Sequence, residues 1–295
     1  MGGIREIRTR IKAVRSTAQI TRAMQLVASS KMKKAQDNAT SHRPYTLRLM
    51  EMGDALRQFL EEKKIRHPFY HPRPVKTRGI LWITTERGLC GSLNQNLIKS
   101  MEPDSIKTEL IVVGQKGMSF TNRIPYPILG RFPFPDTLPS SYVDELVEFL
   151  VHRFEEGEMD VVDVLFSQFK NTLVQTPSWR TLLPLQDLSR EREDFYTQFY
   201  LPRPPEDPRP LLLESDLYSL VKALSRLLLR EKLHHLLLEA KASEHSARMV
   251  AMKSATDNAE NLMEELQLAF NKLRQAGITQ EILELTAGQQ EQMSS

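Results

Sequence analysis

Apolar residues recur near the start of the chain at alternating spacings of three and four, at Ile4, Ile7, Ile11, Val14 and Ala18. No Pro and no further Gly interrupt the stretch from Gly3 to Arg43, so the pattern predicts one helix with a single apolar seam. Past Ala18 the apolar positions shift to Ile20, Met24 and Val27, then to Met32, Ala35 and Ala39, which predicts a drifting face or a stutter. Forty helical residues would reach roughly 60 Å. Pro44 is expected to kink or interrupt this helix, with Tyr45 to Leu60 helical again. The far end repeats the arrangement. Leu211 to Ala276 contains neither Gly nor Pro, and Ala255, Ala259, Leu262, Leu266, Ala269, Leu273 and Ala276 follow a four-three pattern. A helix that long would span roughly 100 Å, more than a compact domain uses. Small residues in both seams let two backbones approach closely, so the two terminal helices are expected to pair as an antiparallel coiled coil.

Between them the texture changes. Gly79 to Thr85, Glu109 to Gly114 and Met159 to Phe169 are short β-rich runs that end in turn residues. Helical stretches around Leu93 to Met101 and Tyr142 to Phe154 separate them, and this alternation predicts a parallel α/β layer. The Pro-rich segments Ile124 to Pro139 and Leu201 to Pro210 read as loops. The fold class expected is thus α+β: a long antiparallel two-helix coiled coil from the N- and C-terminal segments, with a central Rossmann-like α/β domain. The expected divisions are 1–66 for the first helix, 67–200 for the α/β domain, 201–210 for a Pro-rich linker and 211–295 for the last helix. Gly288 to Ser295 is polar and expected to fray.

Composition adds limits. A chain of 295 residues with 40% hydrophobic and 26% charged residues can bury a core. Its single cysteine forms no internal disulfide and no Cys-based zinc site, which fits a reducing compartment. No apolar run is long enough to span a bilayer. The Arg-rich start resembles a transit peptide in composition, but its apolar spacing is that of a structural helix. Residues 1–66 carry fifteen Lys or Arg against six Asp or Glu, a charge of +9, although the whole chain carries only +3. The basic end therefore calls for an acidic partner.

Candidate chemistry is sparse. Arg87, Gly88, Leu89, Cys90, Gly91 and Ser92 follow a predicted strand and precede a helix, but lack both the spacing of a phosphate loop and a nucleophile centred between glycines. They read as a structural turn, as does Gly114 to Gly117. None of the seven histidines lies at a recognisable spacing from Cys90, which reads as a packed thiol. His234 and His235 are adjacent on a helix and point in different directions, which argues against joint metal ligation, and Glu264–Glu265 reads as a solvated face. No catalytic residue, cofactor site or metal site is expected. A basic helix backed by a zipper could bind nucleic acid, but the seam runs through the basic segment and base-reading side chains are few, so a protein surface fits better.

Four segments carry a resemblance: Ile20 to Gln36 (ITRAMQLVASSKMKKAQ), Arg87 to Gly91 (RGLCG), Ser243 to Ala259 (SEHSARMVAMKSATDNA) and Asn271 to Ile282 (NKLRQAGITQEI). Together they resemble the gamma subunit of F-type ATP synthases over essentially the whole chain. The resemblance implies a non-catalytic central stalk without cofactors. Its helices would form a shaft inside the hexamer of alpha and beta subunits, with the α/β domain near the epsilon subunit and the c-ring. It also implies that Arg22 and Met24, and then Arg274, Gln275, Thr279 and Glu281, contact the surrounding subunits. Arg87, Gly88, Cys90 and Gly91 match the family's turn in the lower domain, and Tyr200 to Asp207 match loosely the stretch that approaches the c-ring. Glu86, Ser92, Phe270, Leu273 and Gly277 depart from the usual family residues, which puts the fine contact geometry in question rather than the role. The lone Cys90 excludes a regulatory disulfide of the chloroplast type. The expected location is peripheral, on the cytoplasmic face of a bacterial inner membrane.

Overall fold

The computed structural model describes residues 2–101, 105–121, 124–199, 201, 203 and 216–293. Most of the Pro-rich linker, and with it most of the Tyr200 to Asp207 stretch and Leu211 to Ser215, lies outside the described residues. The chain divides into two compact units, one joining Met1–Ser29 with Arg248–Ser295 and the other comprising Ser30–Ala247. Helix α1 (Gly2–Glu62) and helix α6 (Leu217–Met293) contribute to both, and among the described residues they are the longest elements, at 61 and 77 residues.

In the larger unit, a five-stranded sheet is built from β1 (Thr77–Ile83), β2 (Lys107–Val113), β3 (Ile128–Phe132), β4 (Val161–Phe169) and β5 (Gln175–Leu183) in the order β3-β2-β1-β4-β5. The first four are parallel, as the alternation of strand and helix predicts, and β5 adds an antiparallel edge beside β4, so the sheet is mixed. Helices α2 (Leu93–Lys99), α3 (Gln115–Met118), α4 (Ser140–Glu155) and α5 (Leu188–Phe199) complete the unit.

The central strands are apolar along both faces because both are covered. One face packs Leu81, Ile83, Ile111, Val113 and Val164 against Val143, Leu146, Leu150 and Phe154 of α4, within a core that α1 and α6 complete with Leu56, Leu60, Leu228, Leu233 and Leu237. The other face gathers Ile80, Trp82, Leu97, Leu110, Val112 and Leu165.

Two expectations are corrected. The Pro-rich stretch from Ile124 to Pro139 is not all loop: Ile128–Phe132 forms the edge strand β3, bracketed by Pro127 and Pro133, which have no amide to donate, although the Pro127 carbonyl accepts the Leu110 amide at 2.8 Å. Gly130 makes room there for the ring of Phe149, whose far end would stand 2.9 Å from an added Cβ. Pro44 does not interrupt α1. It and Thr40, whose carbonyl loses its helical donor, both face solvent, so water can satisfy the freed acceptor. Helix α6 starts at a cap: the Asp216 carboxylate accepts the Ser219 amide at 3.0 Å and the Ser219 hydroxyl at 2.8 Å.

Candidate functional site

The smaller unit is an antiparallel helix pair. The Arg8 guanidinium stands 5.6 Å from the centre of the Phe270 ring, Thr21 meets Thr256, and Arg22 lies 3.6 Å from Glu260, so residue numbers rise on α1 as they fall on α6. On α1 the residues turned inward are Ile7, Ile11, Val14, Ala18, Thr21, Gln25 and Ala28. On α6 they are Met252, Thr256, Ala259, Met263, Leu266 and Phe270. Both runs keep an unbroken alternation of four and three, the period of a left-handed coiled coil.

This corrects the expected seam. Ile20 and Val27 are more than half exposed, while their neighbours Thr21 and Ala28 are buried, and on α6 Leu262 and Ala276 also face outward. Hydropathy alone picked the apolar neighbour over the threonine, and so suggested a stutter that this unit lacks. The Thr21 and Thr256 hydroxyls lie 2.7 Å apart, and each also faces a backbone carbonyl of its own helix, Ala18 at 3.1 Å and Met252 at 2.9 Å. A polar pair of this kind fixes register, because sliding one helix past the other would bury unpaired hydroxyls.

With its seam closed, the unit still presents Ile20, Leu26, Val27, Leu262, Leu268, Leu273, Ile278 and Ile282 to solvent. Leu26 and Leu268 are 67% and 71% exposed, so neither contributes to the coil itself. Basic side chains Arg5, Arg8, Arg10, Lys12 and Arg15 accompany this surface on α1.

The residues implied as partner contacts fall in two places. Arg22 is exposed and reaches across to Glu260, and Met24 is half-buried beside the seam. Arg274, Gln275 and Thr279 are exposed on α6, where the Thr279 hydroxyl donates to the Gln275 carbonyl at 3.0 Å. The side chain of Glu281 lies outside the described residues. At 1.5 Å per residue Arg274 is about 20 Å along α6 from Glu260, so the structure does not bring the two groups into one cluster.

Arg87, Gly88, Cys90 and Gly91 lie after β1 in the larger unit. The turn needs two left-handed residues, Leu89 at φ 62° and Gly91 at φ 60°. Cys90 is buried, with Thr85 Oγ1 and Asn94 Nδ2 each 3.8 Å from its Sγ. Asn94 also closes the turn, accepting the Thr85 amide at 3.2 Å and donating to the Thr85 hydroxyl at 2.8 Å. Glu86 ties the neighbouring strand ends by accepting the amides of Gln115 at 3.2 Å and Phe134 at 2.8 Å. Gly114, at φ +94°, passes so close to Thr84 that a Cβ would lie 2.5 Å from its carbonyl oxygen. These contacts hold the turn in place.

Sequence reasoning missed the charges buried along α6. Lys241 is 2% exposed, bonded to the Phe134 carbonyl at 3.0 Å and to Glu244 at 3.1 Å, with its ammonium 3.7 Å from the centre of the Phe134 ring. Lys232 meets Glu191 at 2.6 Å. Burial, with His42, Arg230 and His235 nearby, pushes His234 down to about 4. The signal was present in the leucines on every side of Leu227 to Leu238: a helix apolar all round is buried, so charges within it must find partners.

Comparisons with known proteins agree with this architecture. A family model described as ATP synthase matches residues 3–290. An ATP synthase gamma chain from Opitutus terrae is 46% identical over 291 residues, covering 98% of each chain. Among solved structures, a chain of the Euglena gracilis mitochondrial ATP synthase, OSCP/F1/c-ring in rotational state 3, superposes with a TM-score of 0.64 at 17% identity, covering 97% of this chain and 93% of that one. A chain of the Tetrahymena thermophila mitochondrial ATP synthase central stalk/c-ring gives 0.58 at 21% identity, covering 80% and 99%. With nearly half of all residues shared along almost the full length of a gamma chain, this chain belongs to the ATP synthase gamma family.

Proposed function

We propose that the chain is the central stalk of an F-type ATP synthase, a non-catalytic rotor that links a proton- or sodium-driven c-ring to the catalytic hexamer. The observation that carries the proposal is the exposed apolar surface of the coiled coil, Leu26 and Leu268 above all. Apolar side chains left outside a closed seam mark a surface made for a partner. Here the partner is the sleeve of alternating alpha and beta subunits, and Arg22, Met24, Arg274, Gln275, Thr279 and Glu281 are the polar and flexible contacts within it.

The physical basis of coupling follows from the asymmetry of a two-helix rod. Its faces differ, so three otherwise equivalent beta subunits meet different side chains at any instant. Each face stabilises one conformation of its neighbour over the others, and turning the rod passes those states around the ring. The reciprocal also holds: nucleotide binding that favours one conformation drives the rod toward the matching angle. The α/β unit serves as the foot, beside the epsilon subunit and the c-ring. Among the described residues no helix is long and apolar enough to cross a membrane, which agrees with peripheral attachment. The cytoplasmic face of a bacterial inner membrane is the proposed location.

The rival reading, a basic coiled coil for nucleic acid, is weakened by where the charge goes. Lys31 pairs with Asp136, Arg48 with Glu51, and Arg57 with Asp54 and Glu61. Affinity purification of the tagged chain from its own cells, with an ATP hydrolysis assay on the eluate, tests the proposal. Recovery with alpha and beta subunits and ATPase activity is expected. Recovery with nucleic acid and no hexamer would overturn it.

A further inference from the structure

We propose that His42, Glu231 and His234 form a binding site for a divalent transition-metal ion of the zinc class, which would clamp α1 to α6 within the larger unit. Their ligand atoms all lie within 4.8 Å of one another, and His42 Nδ1 is 3.7 Å from Glu231 Oε2. Glu231 and His234 are three positions apart on α6 and so share a face, and His42 meets them from α1. The two imidazoles stand edge to face, with ring centres 4.9 Å apart.

The second, independent observation is the carboxylate. Glu231 is 5% exposed, and its Oε2 has no hydrogen-bond partner although it is fully withdrawn from solvent. A buried carboxylate oxygen in that position needs a proton, a donor or a cation, and the groups it faces are two imidazoles.

The donor set selects the ligand. Two imidazole nitrogens and one carboxylate oxygen, with a water in the fourth position, suit Zn²⁺ better than Mg²⁺ or Ca²⁺, which prefer all-oxygen shells. Donors about 2.0–2.1 Å from zinc stand about 3.3 Å apart in a tetrahedron, so side-chain rotations of about an ångström close the present set. His234 lies on the wall of a cavity of about 400 Å³, and His42 is itself half-exposed. Of the cations nearby, Lys31 is held against Asp136 at 2.6 Å, Lys241 against Glu244 at 3.1 Å and Arg230 against Asp144 at 3.1 Å, while Lys34 also lines the cavity beside His234.

The test is calorimetric titration of the full-length, chelator-stripped chain with Zn²⁺, alongside its His42→Gln, Glu231→Gln and His152→Gln variants. His42 is half-exposed and its replacement is compatible with folding, which circular dichroism checks; His152 is an exposed histidine on α4 and serves as the control. One Zn²⁺ per chain is expected, with affinity reduced at least about 100-fold by His42→Gln or Glu231→Gln and unchanged by His152→Gln. The unaltered chain supplies a second readout: Co²⁺ bound in this site gives the intense visible absorption of four-coordination. Equal Zn²⁺ affinity in the unaltered chain and the His42→Gln variant, no stoichiometric binding, or a pale six-coordinate Co²⁺ spectrum would each overturn the proposal.

Discussion

The buried Thr21–Thr256 pair makes the sharpest energetic prediction. In Thr21→Val the side-chain shape is kept and only the hydroxyl is lost. Thr256 then keeps its 2.9 Å bond to the Met252 carbonyl, so no donor is stranded. The loss is one net hydrogen bond between helices, about 1 kcal/mol. Thr256→Val is the mirror case, because Thr21 retains the Ala18 carbonyl. If the interhelical bond is the quantity lost in both, the double variant should cost about 1 kcal/mol or less rather than the roughly 2 kcal/mol of an additive pair. A loss of about 1 kcal/mol raises local opening about fivefold. Hydrogen exchange followed by mass spectrometry should therefore show amides of α1 between Ala18 and Gln25 exchanging about fivefold faster in each single variant, and no faster in the double. Strictly additive effects, or single variants without effect, would refute the idea that this pair joins the two helices.

Further outcomes follow from other parts of the molecule. Leu26→Asp and Leu268→Asp should leave the melting temperature of the isolated chain nearly unchanged, because both side chains already face water, yet lower ATP-driven rotation or coupled synthesis in the assembled complex; equal coupling would remove the case for a sleeve contact there. Gly114→Ala should destabilise the larger unit by about 1–3 kcal/mol from its left-handed backbone alone, with the overlap against Thr84 adding to that, as read by urea denaturation. The hydrogen bond from Lys31 holds the Asp136 carboxyl below its ordinary range, so this pair's stabilisation is complete above about pH 4 and is lost as pH falls through the lower folded value. Both side chains are substantially exposed, which limits the effect to below about 1 kcal/mol, and thermal melts from pH 5 to pH 2 should show that part of the acid limb vanish in Lys31→Ala.

Much of the fold was legible because long uninterrupted helices and continuous apolar strands are strong periodic signals. β1, β2 and β4 lie where their β-rich runs predicted, and α2 and α4 where the helical texture did. β3 was obscured by the prolines that flank it. β5 was obscured by Pro177, Arg180 and a half-buried pattern of edge type. In the coil, the register depends on which neighbour is buried, Ile20 or Thr21, and that choice is made by a hydrogen-bonded partner 235 positions away. No local pattern contains that information. The same reasoning applies to His42, Glu231 and His234, which a survey of spacings passes over because one member comes from the opposite end of the chain.

The core of the larger unit has a consequence for how the protein is made. Leu47, Leu56 and Leu60 of α1 share that core with Leu228, Leu233 and Leu237 of α6. During synthesis, α1 emerges from the ribosome about 170 residues before these α6 partners exist. At 5–20 residues per second, that leaves the helix without its α6 cover for about 10–35 s. The nascent chain thus has a long interval in which its leucine face is available to chaperones or to aggregation, and the sheet can finish only once α6 arrives. Slowing translation between β5 and α6 should accordingly lower soluble yield more than slowing it anywhere after Leu237.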